Sequence, residues 1–217
     1  MAYTFPMPLA DFFNHIPIAS ASFGLGEAME YAETVGGEIL TAELGNRLWK
    51  AEITVAPNRY APVEQVKARL NVLRYPGRSL LVHSMPLVAP QYDPDGSILG
   101  ASTVQLANVY SNNREIQLSG LPNGYILQYG DFIGWQYGSN PTRYALHQVA
   151  NKVTAAGGIA DRVEVTPFIE SGWVANQTVT LIKPVMKAIV IPGSTDVGSF
   201  GAQIADGVKF TVYQTFR

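Results

Sequence analysis

No cysteine occurs anywhere in the chain, which excludes disulfides, thiolate metal sites and a cysteine nucleophile. That absence fits a protein made in a reducing cytoplasm. Charge is also scarce: 15% of the residues are charged, against about 25% in an average soluble domain. Hydrophobic residues reach 47%. Something other than water is therefore expected to cover part of the surface, and partner subunits are the simplest candidate. The formal net charge of −2 gives no basic stripe for gripping phosphates, so no sequence-specific nucleic-acid partner is expected. No run of like charges marks a disordered tail. Long apolar runs are missing too; none approaches the ~18 residues of a membrane helix, so no membrane insertion is expected. The opening "MAYTFPMPLADFF" has no basic region and is broken by Pro6 and Pro8, so a signal peptide is not expected and the chain reads as soluble and unexported.

What is present is turn chemistry and period-two alternation. Twenty glycines and fourteen prolines divide the sequence into short segments. In "LWKAEITVAP", Trp49, Ala51, Ile53 and Val55 alternate with Lys50, Glu52 and Thr54, the pattern of a half-buried strand. "RSLLVH", "VQLANVY", "REIQLSG", "RYALHQV", "RVEVTP", "QTVTLIKP", "MKAIVIP" and "GVKFTVYQTF" read as further strands. Pro184 separates two of them, because proline tolerates only edge or bulge positions. One helix is expected at residues 62–74, with Val63, Val66, Leu70 and Leu73 on one stripe, Glu64 beside Lys67, and Pro76-Gly77 as the stop. The fold class is mainly β, a β-sandwich or split barrel with one short amphipathic helix. The expected organisation is a single β-rich domain over residues 1–217, with an extended, exposed loop at 84–103.

Several groups of residues could carry chemistry. His15, His83 and His147 lie far apart in sequence. A triad of His147, Asp131 and a serine is conceivable, but no G-x-S-x-G elbow accompanies it; the structural reading is a strand histidine. "DPDGS" at 93–97 opens like a calcium loop, yet its twelfth position is Val104 instead of a glutamate, so it reads as a β-turn. "GLGEAME" at 24–30 lacks the third glycine of a dinucleotide fingerprint and reads as a turn before a short helix or strand. Asp131, Asp161, Glu164 and Glu170 could supply a glycosidase acid pair, but nothing marks two of them as partners. Tyr125, Tyr129, Trp135, Tyr137 and Tyr144 cluster in one stretch. Core packing is ranked first for them, a subunit interface second and sugar stacking third. Accordingly no catalytic, cofactor-binding or metal-binding residues are expected, and the chain is not expected to be an enzyme.

The segments "GGEILTAELG" (36–45), "LWKAEITVAP", the helix after it and "PGRSLLVHS", followed by "LQYGDFIGW", "RYALHQV", "VEVTPFIESG" and "VTLIKPVMKAIV", resemble distal tail proteins of long-tailed bacteriophage baseplates. The similarity spreads over most of residues 30–215. It implies a virion structural protein with no catalytic residues, forming a homo-hexameric ring that links the tail tube protein to the hub or fibre proteins of the tail tip. The implied location is the virion tail tip, after assembly in the host bacterial cytoplasm. A carbohydrate-binding module for host attachment, with Trp135 or Trp173 as a stacking ring, is the alternative; a tube subunit or tail terminator is another ring-forming option. Under this resemblance "LQYGDFIGW" and "RYALHQV" are adjacent strands joined at Gly138–Pro141, with Asp131 and His147 structural.

Overall fold

A computed structural model describes residues 3–85, 87–201 and 204–217. The chain is mainly β, as its alternation predicts, with one α-helix and several sheets among the described residues. In order, the first part contains β1 (Ile18–Leu25), β2 (Met29–Glu33), β3 (Ile39–Glu43), β4 (Trp49–Val55), helix α1 (Tyr60–Leu73) and β5 (Leu80–His83). The middle holds β6 (Gln105–Val109), β7 (Glu115–Ser119), β8 (Ile126–Leu127), β9 (Phe132–Tyr137), β10 (Arg143–Val149), β11 (Val153–Thr154), β12 (Ile159–Thr166) and β13 (Gln177–Thr180). The last part is β14 (Val185–Val190), β15 (Asp196–Phe200) and β16 (Ala205–Gln214).

The first and last parts build one sheet in the order β1-β4-β16-β14-β5, with β15 added beside β16. Helix α1 carries the chain from β4 across to β5 at the far edge and lays Val63, Val66, Leu70 and Leu73 on the sheet. Their partners include Ile53, Phe210 and Val212, each at most 1% exposed. The alternation of β4 is realised as read: Trp49, Ala51, Ile53 and Val55 are buried. The helix begins two residues before the expected start. Pro62 still lies in its first turn, where backbone N–H groups have no acceptor within the helix and proline's missing donor costs nothing. Glu64 and Lys67 pair at 3.0 Å.

Between β5 and β14 the chain makes a long excursion. These two strands are antiparallel neighbours, with His83 opposite Val185. The chain thus leaves and re-enters the sheet at the same place. The intervening strands pair in a closed circuit, β10-β12-β7-β6-β13-β9 and back to β10. They enclose a second apolar core that includes Leu106, Ile116, Leu118, Ile133, Val163 and Val179. Continuous alternation across both parts conceals this division in the sequence, which reads as one domain.

The segment 84–103 links β5 to this circuit. Its described residues form no strand or helix, and Pro86 lies outside the described residues. Most of them are exposed, as expected, but the middle is pinned. The buried Asp93 carboxylate accepts the Ile98 and Leu99 N–H groups at 3.0 and 2.8 Å. The Gln91 N–H donates to Asp131 at 2.9 Å. A loop fixed in this way follows its own barrel and is less free to reach outward than its composition implies.

Candidate functional site

Strands β9 and β10 form the expected antiparallel pair, with Ile133 opposite His147 and Trp135 opposite Ala145. One face of the pair enters the barrel core through Ile133, Trp135, Tyr137, Ala145 and Val149. The other face turns toward the sheet core through Phe132 and Leu146. Both faces are occupied over most of their length, and β9-β10 is the seam between the two cores; Gln136 is exposed beside a surface depression of about 310 Å³ that Gly134 and Tyr144 also line. Trp49 closes that seam: its indole N–H donates to the Leu146 carbonyl at 2.7 Å, and its ring lies 5.1 Å from Phe23 and 5.3 Å from Phe132. The Gln214 side chain accepts the Trp49 backbone N–H at 3.1 Å and donates to the Tyr144 carbonyl at 3.4 Å. Gly134 is required here by space: a Cβ would stand 2.9 Å from the Ala145 carbonyl oxygen and 3.1 Å from Pro184.

The candidate catalytic residues of this stretch, Asp131 and His147, are both buried and both hydrogen-bonded to backbone groups. Asp131 is fully buried, and its carboxylate accepts the backbone N–H groups of Gln91 and Gln128 at 2.9 and 2.8 Å. That ties the 84–103 segment to the bend before β9. His147 stacks on Trp135 with ring centroids 4.7 Å apart. Its Nδ1 lies 2.9 Å from the Pro167 carbonyl, which assigns the proton to Nδ1. Burial lowers its pKa to about 4, so the ring is neutral at pH 7. The cavity at the seam beside His147 measures about 10 Å³, room for about one water.

The other candidates are dispersed. His83 is half-buried on β5, packed edge-on against Phe13 at 5.0 Å, and burial lowers its pKa. His15 is exposed at the end of a single 3-10 turn, Phe13–His15. Asp161 accepts from the Tyr110 hydroxyl and the Gln117 amide, and the tyrosine bond holds its carboxyl below the usual range. Glu170 accepts from the Asn46 amide. Glu164 shares a shallow surface depression of about 220 Å³ with Glu43, Arg47 and Arg114, where two acids and two bases balance. Among the described residues no three His, Cys, Asp or Glu side chains group as a metal site. No described helix is long and apolar enough to cross a membrane. The "DPDGS" stretch is the turn it resembled, with the Gly96 N–H on the Asp93 carbonyl at 3.2 Å. After "GLGEAME" begins, the chain enters strand β2 at Met29.

Of the clustered aromatics, Tyr125, Trp135 and Tyr137 are buried, which places them in the core as ranked first. Burial pushes the Tyr137 phenol up to about 12. Tyr129 is exposed.

The feature that sequence reading missed is the hairpin β2-β3. Among the described residues the two strands pair only with each other, as a separate two-stranded sheet. Every residue of both strands is exposed, including Met29, Tyr31, Ile39 and Leu40. Val35 stands at the tip, in a turn closed by Thr34 N–H to Glu38 O and by Gly37 at φ 80°. The signal was available: "MEYAE" and "ILTAE" flank the turn formers Gly36-Gly37. No protein-family model matches this chain, and no curated protein matches it either.

Proposed function

We propose that this chain is a structural subunit of a bacteriophage tail tip. It forms a ring, hexameric in the family its sequence resembles, between the tail tube and the hub or fibre proteins. It acts by self-association and docking, and the reading assigns it no reaction. The observation that carries the proposal is the free-standing hairpin β2-β3. A two-stranded hairpin is marginal in water by itself. One that exposes Tyr31, Ile39, Leu40 and Leu44 gains its stability from a surface outside its own fold. The low charge content supports the same reading, as does the structural commitment of Asp131 and His147.

A glycan-binding module would need exposed rings on one sheet face, whereas Trp135 is only 4% exposed and Trp173 is half-buried against the barrel core. That makes sugar recognition the weaker reading. Negative-stain microscopy with sedimentation velocity on the purified chain tests the proposal. A single-layered ring is the expected result. Indefinite stacking would reassign the chain to the tail tube, and a monomer at high concentration would overturn the ring.

A further inference from the structure

The hairpin has a charge signature as well as an apolar surface. From Gly26 to Asn46 the sequence carries Glu27, Glu30, Glu33, Glu38 and Glu43, and no lysine or arginine. All five glutamates are exposed, and none enters a salt bridge among the described residues; Glu43, at the base, shares its depression with Arg47 and Arg114, which leaves Glu27, Glu30, Glu33 and Glu38 as the acidic set. The opposite signature lies on one other stretch. From Arg59 to Arg78, along α1 and the turn after it, there are Arg59, Lys67, Arg69, Arg74 and Arg78 against the single acid Glu64. At the end of the helix Arg74, Tyr75 and Arg78 are exposed side by side in sequence, and Tyr75 is 68% exposed. Tyrosine and arginine are the residue types most enriched where interfaces concentrate their binding energy.

We infer that the hairpin β2-β3 of one copy docks on the C-terminal end of α1 of a second copy, around Arg74, Tyr75 and Arg78. The inference deepens the ring reading and rests on it. The two surfaces are different parts of one chain, and in a ring the contact runs head-to-tail, the hairpin of one copy on the helix end of the next. Each copy then offers one donor hairpin and one acceptor helix end. Such a heterologous contact closes into a ring when its rotation is right, and otherwise runs on as a filament. The apolar hairpin residues supply burial, and the opposed charges set partner choice and register.

The absence of cysteine provides a clean test. Full-length chains bearing Val35→Cys are mixed with full-length chains bearing Tyr75→Cys, and oxidised under conditions in which the parent chain assembles. The expected product is a disulfide-linked dimer that forms from the mixture and from neither variant alone at a comparable yield. In parallel, Glu33→Arg with Glu38→Arg should weaken self-association at least tenfold by sedimentation equilibrium, as should Arg74→Glu with Arg78→Glu. Combining all four should restore it, with far-UV circular dichroism unchanged throughout. If the parent chain assembles but the cross-link fails and the charge reversals have no effect, the docking is wrong and the ring reading stands. Reversals that weaken assembly without restoration in the fourfold variant overturn the pairing of these two surfaces. A parent chain that stays monomeric overturns both readings.

Discussion

Two hairpins of this molecule show opposite fates for similar sequence patterns. β9-β10 and β2-β3 are both antiparallel and both joined by glycine-containing turns. β9-β10 is covered on each face, by the barrel core on one side and the sheet core on the other. β2-β3 is covered on neither. Hydrophobic alternation tells a strand which residues share a face, but it does not say what covers that face. In β9-β10 the cover is the chain itself. In β2-β3 the strand residues of the chain are left exposed, and the cost of losing a side chain should differ accordingly.

The largest effect is expected at the seam. Trp49→Ala removes a ring packed on Phe23 and Phe132 and the hydrogen bond to the Leu146 carbonyl. Aromatic truncation in a packed core costs about 3–5 kcal/mol. Urea unfolding at pH 7 measures it. A loss below about 1 kcal/mol would show that the two cores do not depend on this contact.

His147 gives the next effect, and its sign is fixed by burial. The ring has a pKa of about 4 when folded and 6.5 as its ordinary value. Between these values the unfolded chain binds the proton and the folded chain does not. The stability contribution is therefore complete above pH 6.5 and is lost as pH falls through that window. By linkage the loss reaches roughly 3 kcal/mol near pH 4. His83 is shifted the same way by burial and adds to the same branch. Urea midpoints from pH 7 to pH 4 should fall in the parent chain and fall less steeply in His147→Gln. A parallel slope in the two proteins would remove His147 from the acid response.

Asp131→Ala comes third. It leaves the Gln91 and Gln128 N–H groups without their buried acceptor, at a cost of about 1–3 kcal/mol. Because the same carboxylate ties the 84–103 segment to the barrel, proteolytic nicking of that segment should also increase. Unchanged stability together with unchanged nicking would contradict the anchoring role.

Much of the fold was legible because side-chain period is a local property. Trp49 to Val55, the stripe Val63-Val66-Leu70-Leu73, and Val208 to Gln214 each announced their buried face within one segment. The strand position of His147 was legible, while the backbone groups that Asp131 and His147 bind, on Gln91, Gln128 and Pro167, were not. The division into two cores was not legible. It depends on His83 meeting Val185 across the sheet, a pairing between residues far apart in the chain that leaves no local mark. The pinning of 84–103 was hidden for the same reason, as its acceptor Asp131 lies 40 positions from Gln91. The hairpin β2-β3 was missed because alanine and glutamate, residues depleted in strands generally, fill half of its strand positions and outweigh the strand formers Tyr31, Ile39 and Thr41.

The smallest effect on stability is the one that separates the two hairpins most sharply. Tyr31→Ala and Leu40→Ala remove large apolar side chains, yet both residues are already exposed, at 73% and 55%. No transfer from water to a core is lost, so the unfolding free energy of the isolated subunit should stay within about 0.5 kcal/mol of the parent. Comparable truncations in β9-β10 should cost several times more, because their surface is removed from water by the chain itself. Under the proposed ring the same two hairpin substitutions should nevertheless weaken assembly, since a second surface would then bury them. Urea unfolding at low concentration and sedimentation at high concentration, run on the same samples, resolve the two effects. If Tyr31→Ala destabilised the dilute subunit as much as a core truncation, the hairpin would be packed within its own chain. It would then need no outside partner, and the contrast with β9-β10 would disappear.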